Sequence, residues 1–342
     1  MNRPVSFGLR IPPCRDAREV AECVAQAERV GFDVCWLPDS QFLWRDIWAS
    51  LALAAVATDR IRVGPCVTTF ETRHPAVTAA AAATIEELAP GRTILGIGSG
   101  DSAVKTLGLR PTTLARMREQ IDVVGGLLAG EERTFDGHAM RLKAPPSGRV
   151  PMYMAANGPK ALALAGELCD GAIILAGLEP GLIARAFERV AAGAARAGRG
   201  LADVDVCVGT LCHVTDDERE GARIVKPYVV AIAQVGGRHA LQAIGIDIDP
   251  PAAVGGVYPD LSHAEDWPAA MDAADQWVTD DEARRYADAF CLIGPSAYVA
   301  ARLRRAVDAG ATSFYIRHLE SYTLPERLLA AFGESIIPAF RQ

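Results

Sequence analysis

Four short segments, each following an apolar run, hold most of the side chains that could do chemistry. They are Pro38-Asp39-Ser40-Gln41-Phe42-Leu43-Trp44, Gly64-Pro65-Cys66-Val67-Thr68, Gly98-Ser99-Gly100-Asp101 and Ala155-Ala156-Asn157-Gly158-Pro159-Lys160. Asp39 and Asp101 are carboxylates placed where they could serve a site, or could cap a following helix. Ser40 carries a hydroxyl that ionises far above neutrality, so it cannot remove a proton alone. Gly98, Ser99 and Gly100 leave the backbone bare, which permits close approach by a ligand or a tight turn with positive φ. Asn157-Gly158 stands just ahead of Pro159, where a helix start offers unsatisfied N–H groups to a phosphate.

Other motifs point to less. Gly98-Ser99-Gly100-Asp101-Ser102-Ala103 fits the G-x-G-x-x-A dinucleotide fingerprint, but that fingerprint belongs in the first strand-to-helix turn with an acidic residue ending the next strand. Here it follows the fourth strand, and Glu119 falls in mid-helix. The 8 cysteines are scattered, with no Cys-x-x-Cys and no histidine pair at helical spacing. Reduced, mostly buried thiols and no metal are expected.

The elements that must position these residues follow a simple alternation. Short β-type apolar runs at 5–11, 33–38, 61–68, 93–98, 152–155, 172–175, 205–213 and 314–316 predict eight strands. Helical patterns lie between them, at 15–30, 46–58, 75–88, 112–129, 159–169 and 180–198, followed by a long helical region over 216–309. Pro75, Pro159 and Pro180 stand in first turns, and Gly31, Gly91 and Gly310 follow helix ends. Eight strand-helix units over 342 residues predict an α/β fold, a (β/α)8 TIM barrel, as a single domain spanning 1–342. The Pro-rich stretch from Asp249 to Pro259 interrupts the helical region, so an insertion of about 217–290 is expected over the barrel mouth between strands seven and eight. In such barrels the chemistry sits at the C-terminal strand ends, where the four segments fall.

Those four segments, and above all Arg92-Thr93-Ile94-Leu95-Gly96-Ile97-Gly98-Ser99-Gly100-Asp101, resemble the luciferase-like superfamily of flavin-type barrel oxidoreductases, in its coenzyme F420-dependent branch. The likeness runs from Phe7 to about Ala176 and returns at Leu292-Ile293-Gly294-Pro295. It implies F420 as cofactor, with FMN as the alternative. It further implies a non-prolyl cis peptide at Cys66-Val67 behind the deazaflavin ring, with Thr68 beside it. Asp39 would sit at the ring system. Gly98, Ser99, Gly100, Ala156, Asn157, Gly158 and Lys160 would hold the cofactor's chain and phosphate. Asp101 would donate a proton to the substrate or orient it, and Trp44 would wall the pocket.

His318, Arg73 and His74 are weaker rim candidates, and Arg73 and Lys105 join Lys160 as cations for an oligoglutamate tail. Ser40 stands where F420 dehydrogenases carry a histidine, which favours reduction of a C=C or C=N bond over alcohol oxidation. The FMN alternative is a monooxygenase using O2 and reduced flavin from a separate reductase.

Composition limits the partners. With 35 basic against 42 acidic side chains and a formal charge of −7, the chain has no electrostatic reason to bind nucleic acid. Its uncharged apolar stretch at 47–58 is well short of the roughly 20 residues of a membrane span. Met1-Asn2-Arg3-Pro4 leads into Val5-Ser6-Phe7-Gly8-Leu9 without the pattern of a secretory leader, so a cytoplasmic enzyme is expected, working on a small-molecule substrate. The resemblance implies a homodimer.

Overall fold

Alternating side-chain direction along each short apolar run sorts the strands of this chain into a closed sheet with helices outside. The structure, a computed structural model, describes residues 4–341; Met1, Asn2 and Arg3, part of the stretch read for a leader, lie outside the described residues. The chain begins with β1 (Ser6–Arg10), α1 (Ala17–Val30), β2 (Val34–Leu37), α2 (Ile47–Val56), β3 (Arg62–Pro65), α3 (Pro75–Leu88) and β4 (Leu95–Ile97). The short α4 (Ser102–Lys105), α5 (Leu114–Leu128) and the hairpin of β5 (Arg133–Phe135) and β6 (His138–Met140) follow. Next come β7 (Met152–Ala155), α6 (Pro159–Leu168), β8 (Gly171–Ile174), α7 (Pro180–Arg196) and β9 (Asp205–Val214). α8 (Glu218–Gln234), α9 (Arg238–Gln242), α10 (Trp267–Ala274), α11 (Asp280–Phe290), β10 (Cys291–Gly294) and α12 (Ser296–Asp308) lead to β11 (Ser313–Arg317) and α13 (Glu326–Ala331).

The main sheet has the order β3-β2-β1-β11-β9-β8-β7-β4, with parallel neighbours throughout. Bridges Val63↔Thr93 and Thr68↔Ile97 join its two ends and close the barrel. These eight strands are the eight that the sequence predicts, so the TIM-barrel expectation holds.

One element was not expected, and one expectation needs correction. The connection before Ala144-Pro145-Pro146 contains the antiparallel β5–β6 hairpin, turned by Asp136 at φ 50 and Gly137 at φ 81. The region 216–309 is not continuously helical, because β10 lies within it and extends the sheet by pairing with the far half of β9, Cys291 opposite Leu211. Cys291-Leu292-Ile293 is a run too short for a helix, stopped by Gly294-Pro295.

Three cores share the work of holding this shape. Phe7, Leu9, Leu37, Leu95 and Ile316 pack outward beneath the helices. Val34, Trp36, Ile94, Tyr153, Ile173, Cys207 and Tyr315 fill the barrel lumen from the opposite strand faces. A Cβ at Gly8 would stand 2.7 Å from Trp36 Nε1, so the indole occupies the lumen only because residue 8 has no side chain. Leu211, Val225, Val229, Leu241 and Trp267 form a third cluster among the elements between β9 and β11.

Candidate active site

The lumen packing stops below the C-terminal strand ends, leaving a cavity of about 220 Å³ at the mouth. Pro38, Asp39 and Trp44 line it after β2, Cys66, Val67 and Thr69 after β3, Gly100 and Asp101 after β4, and Ala155 and Asn157 after β7. The Cys66–Val67 peptide bond is cis, as the resemblance implies. Burial pushes the Cys66 thiol up to about 12, so it is neutral and acts as a wall.

Asp39 is pinned from two sides. Thr68 Oγ1 donates to its Oδ2 at 2.8 Å, and Arg73 Nη1 donates to the same oxygen at 2.5 Å. Burial raises its carboxyl, and the Arg73 guanidinium works in the opposite direction. The capping alternative fails for this residue, because Asp46 caps α2 by accepting from Ala49 N at 3.0 Å. Thr68 itself is fully buried behind the cavity wall, with its hydroxyl on Asp39.

Trp44 is held by its own indole, which donates to Ser321 O at 3.2 Å. The Arg10 guanidinium lies over its ring, 5.1 Å from the centroid, and His263 meets it edge-on at 5.9 Å. Asp101 makes no side-chain cap to α4; it pairs with Lys105, and its side chain is 76% exposed at the rim. Gly98 is bare for a different reason than expected: a Cβ there would meet Val67 Cγ2 at 2.6 Å, so it accommodates the cis segment and does not line the cavity. Gly100 does line the cavity, at φ +96.

Asn157 accepts from Leu175 N at 2.9 Å and so joins the loops after β7 and β8. Gly158 precedes α6 with no side-chain cap, and a Cβ there would meet nothing within 4 Å. Lys160, in the first turn, is exposed and has no carboxylate partner among the described residues.

Several expected site residues lie elsewhere. Ser40 is 1% exposed, with its hydroxyl unpartnered and outside the cavity wall. Ala156 is buried one residue past the lining Ala155, because strand alternation turns it outward, where its N–H donates to Ile173 O. Ser99 is exposed, its carbonyl taken by Thr112 N. His74 caps α3 through Nδ1, 3.2 Å from Ala76 N. His318 is buried with Nε2 against Thr323 O at 2.8 Å, and burial pulls it down to about 3.

A second cavity of about 390 Å³ adjoins the first and shares Asp101, Leu175, His263 and Arg317 with it. Leu211, Tyr228, Ile232, Leu241 and Phe290 give it apolar walls. Sequence reasoning missed Arg10, Arg317 and the His263–Asp260 pair, whose Nδ1 and Oδ2 stand 3.0 Å apart. Arg10 and Arg317 had a readable signal: each is a charge at the C-terminal end of an apolar barrel strand. His263 had none, since a loop far along the chain brings it to Trp44.

Taken with the closed barrel, this mouth defines an enzyme of the luciferase-like class. The chain belongs to the luciferase-like monooxygenase family, which matches residues 5–313. It is 34% identical to the 5,10-methylenetetrahydromethanopterin reductase of Methanolobus tindarius over 315 residues, covering 90% of this chain and 92% of that one. It is 30% identical to the F420-dependent glucose-6-phosphate dehydrogenase of Nakamurella multipartita, covering 99% of this chain and 97% of that one. The coenzyme F420-dependent tetrahydromethanopterin reductase structure from Methanopyrus kandleri superposes with a TM-score of 0.76 at 25% identity, covering 99% of this chain and all of that one. No helix among the described residues is long and apolar enough to cross a membrane.

Proposed function

We propose that this chain is an F420-dependent oxidoreductase that transfers a hydride between the deazaflavin and a small organic substrate, in the reductive direction. The names of its relatives support the cofactor. The observation that carries the reading is the mouth itself, where Cys66, Val67 and the pinned Asp39 form one wall of a cavity bounded by Trp44. The residues present fit the cofactor: the open N-terminus of α6 at Gly158 and the unpaired Lys160 suit a phosphate. When bound, the deazaflavin supplies a two-electron hydride at its central ring. Asp39, fixed by Thr68 and Arg73, would help hold the ring system, and Trp44, lining the same cavity, would help exclude water from it.

The reductive direction is supported by Ser40, which stands where F420 dehydrogenases carry a histidine; neither it nor His318 lines the cavity. Asp101 and His263 border both cavities, and His263 is oriented by Asp260, whose carboxyl its histidine partner holds down at about 2. They are placed to exchange a proton with the substrate as hydride is transferred. Leu53 and Val56 on α2 and Val77 and Leu88 on α3 are exposed apolar side chains and support the homodimer. Fluorescence titration with F420 and with FMN tests the reading. F420 should bind more tightly, and reduced F420 should support turnover without oxygen uptake. Tighter FMN binding at every salt concentration, with oxygen consumed as product forms, would overturn it in favour of a monooxygenase fed by a separate reductase.

A further inference from the structure

Two arginines face the mouth without a counterion. Arg10 is 3% exposed, lines the first cavity and leaves Nη1 buried with no hydrogen-bond partner. Arg317 borders both cavities. No carboxylate pairs with either among the described residues; Asp39 and Asp101, which line the same cavity, pair instead with Arg73 and Lys105. Arginine stays charged at any ordinary pH, and a buried, unpaired charge is retained at a cost unless a ligand compensates it. Away from the junction the second cavity has a largely apolar wall of Leu211, Ile232, Leu241 and Phe290.

We infer that Arg10 and Arg317 form a carboxylate-binding site, and that the substrate is an apolar carboxylic acid whose body lies in the second cavity. A guanidinium presents paired N–H donors that match a planar carboxylate. Arg317 stands where the two cavities meet, so the head group sits at the junction, the chain runs into the second cavity, and the carbons next to the carboxylate are the part of it nearest the first. This deepens the proposed oxidoreductase reading by naming its substrate class and rests on it for the reaction, though the binding site stands on the arginines alone.

The test is calorimetric titration of the cofactor-free full-length protein with octanoate, octanamide, acetate and inorganic phosphate, alongside F420 fluorescence titration. Octanoate should bind saturably, with octanamide, acetate and phosphate each at least tenfold weaker. Arg10→Gln and Arg317→Gln should weaken octanoate at least tenfold and leave F420 affinity within about twofold. If Arg10→Gln does not fold, the more exposed Arg317→Gln carries the comparison.

Equal binding of octanamide and octanoate would overturn the inference. So would phosphate binding as tightly as octanoate, or an equal loss of F420 affinity in the variants, since the arginines would then serve the cofactor's own anion. Arginine-dependent octanoate binding in a protein that fails to bind F420 would uphold the site and overturn the cofactor assignment.

Discussion

Asp39 and Asp101 carry the same functional group in opposite settings, and the setting separates their roles. Asp39 is buried and held by two donors, so it is a fixed feature of the wall, whereas Asp101 stands at the rim paired with Lys105. Asp101→Asn should leave folding and F420 affinity intact while lowering turnover by roughly 100-fold or more, measured by steady-state kinetics; equal activity would make the carboxylate dispensable.

His318 allows a prediction of a different kind. Its native value is drawn down to about 3 from 6.5, so below pH 6.5 the unfolded chain binds a proton that the folded one refuses. Stability therefore falls as pH drops through that window, by about 1.4 kcal/mol per pH unit from this residue. Comparing denaturation midpoints of the wild type and His318→Gln between pH 6.5 and 4 should show a shallower slope in the variant.

At the scale of elements, the N-terminus of α6 is the site's clearest anion-facing feature. Of the three cations expected to hold an oligoglutamate tail, Arg73 is committed to Asp39 and Asp46, and Lys105 to Asp101. Lys160 alone is uncommitted. Exposed charges are screened over about 10 Å at 0.1 M salt, so F420 affinity should weaken as salt rises. Lys160→Ala should flatten that dependence and cost several-fold in affinity at most, because a solvated contact contributes about 0.2–1 kcal/mol. Salt titrations of both proteins check this; unchanged affinity and slope in the variant would remove Lys160 from the site.

At the scale of the whole molecule, closure of the barrel buries almost every thiol. Cys14 is half-buried, and the other cysteines are buried, with Cys23, Cys169 and Cys291 pushed up to about 12 by burial. Thiolate is the reactive form, so the native protein should be nearly inert to alkylation at neutral pH. Mass spectrometry after iodoacetamide should find a slow single adduct at Cys14 and full modification only after unfolding. Rapid native labelling of Cys66 would mean that the mouth is more open than the structure has it.

Local physics accounts for what the sequence by itself determined. Side-chain alternation, first-turn prolines and glycines after helix ends act within a few residues, so the eight barrel strands and their helices were legible, as were the strand ends carrying Asp39, Cys66, Gly100, Asp101 and Asn157. Which of those residues enter the cavity was decided only by the tertiary structure. Strand alternation past each end put Ser40, Thr68 and Ala156 behind the wall, and the Val67 side chain claimed the space at Gly98. The partners of the site came from further away. β1 and β11, at opposite ends of the chain, pair directly in the sheet, which sets Arg10 and Arg317 into one mouth. His263 reaches Trp44 across more than half the chain, and no local pattern encodes a contact whose free energy arises only when the intervening barrel has formed.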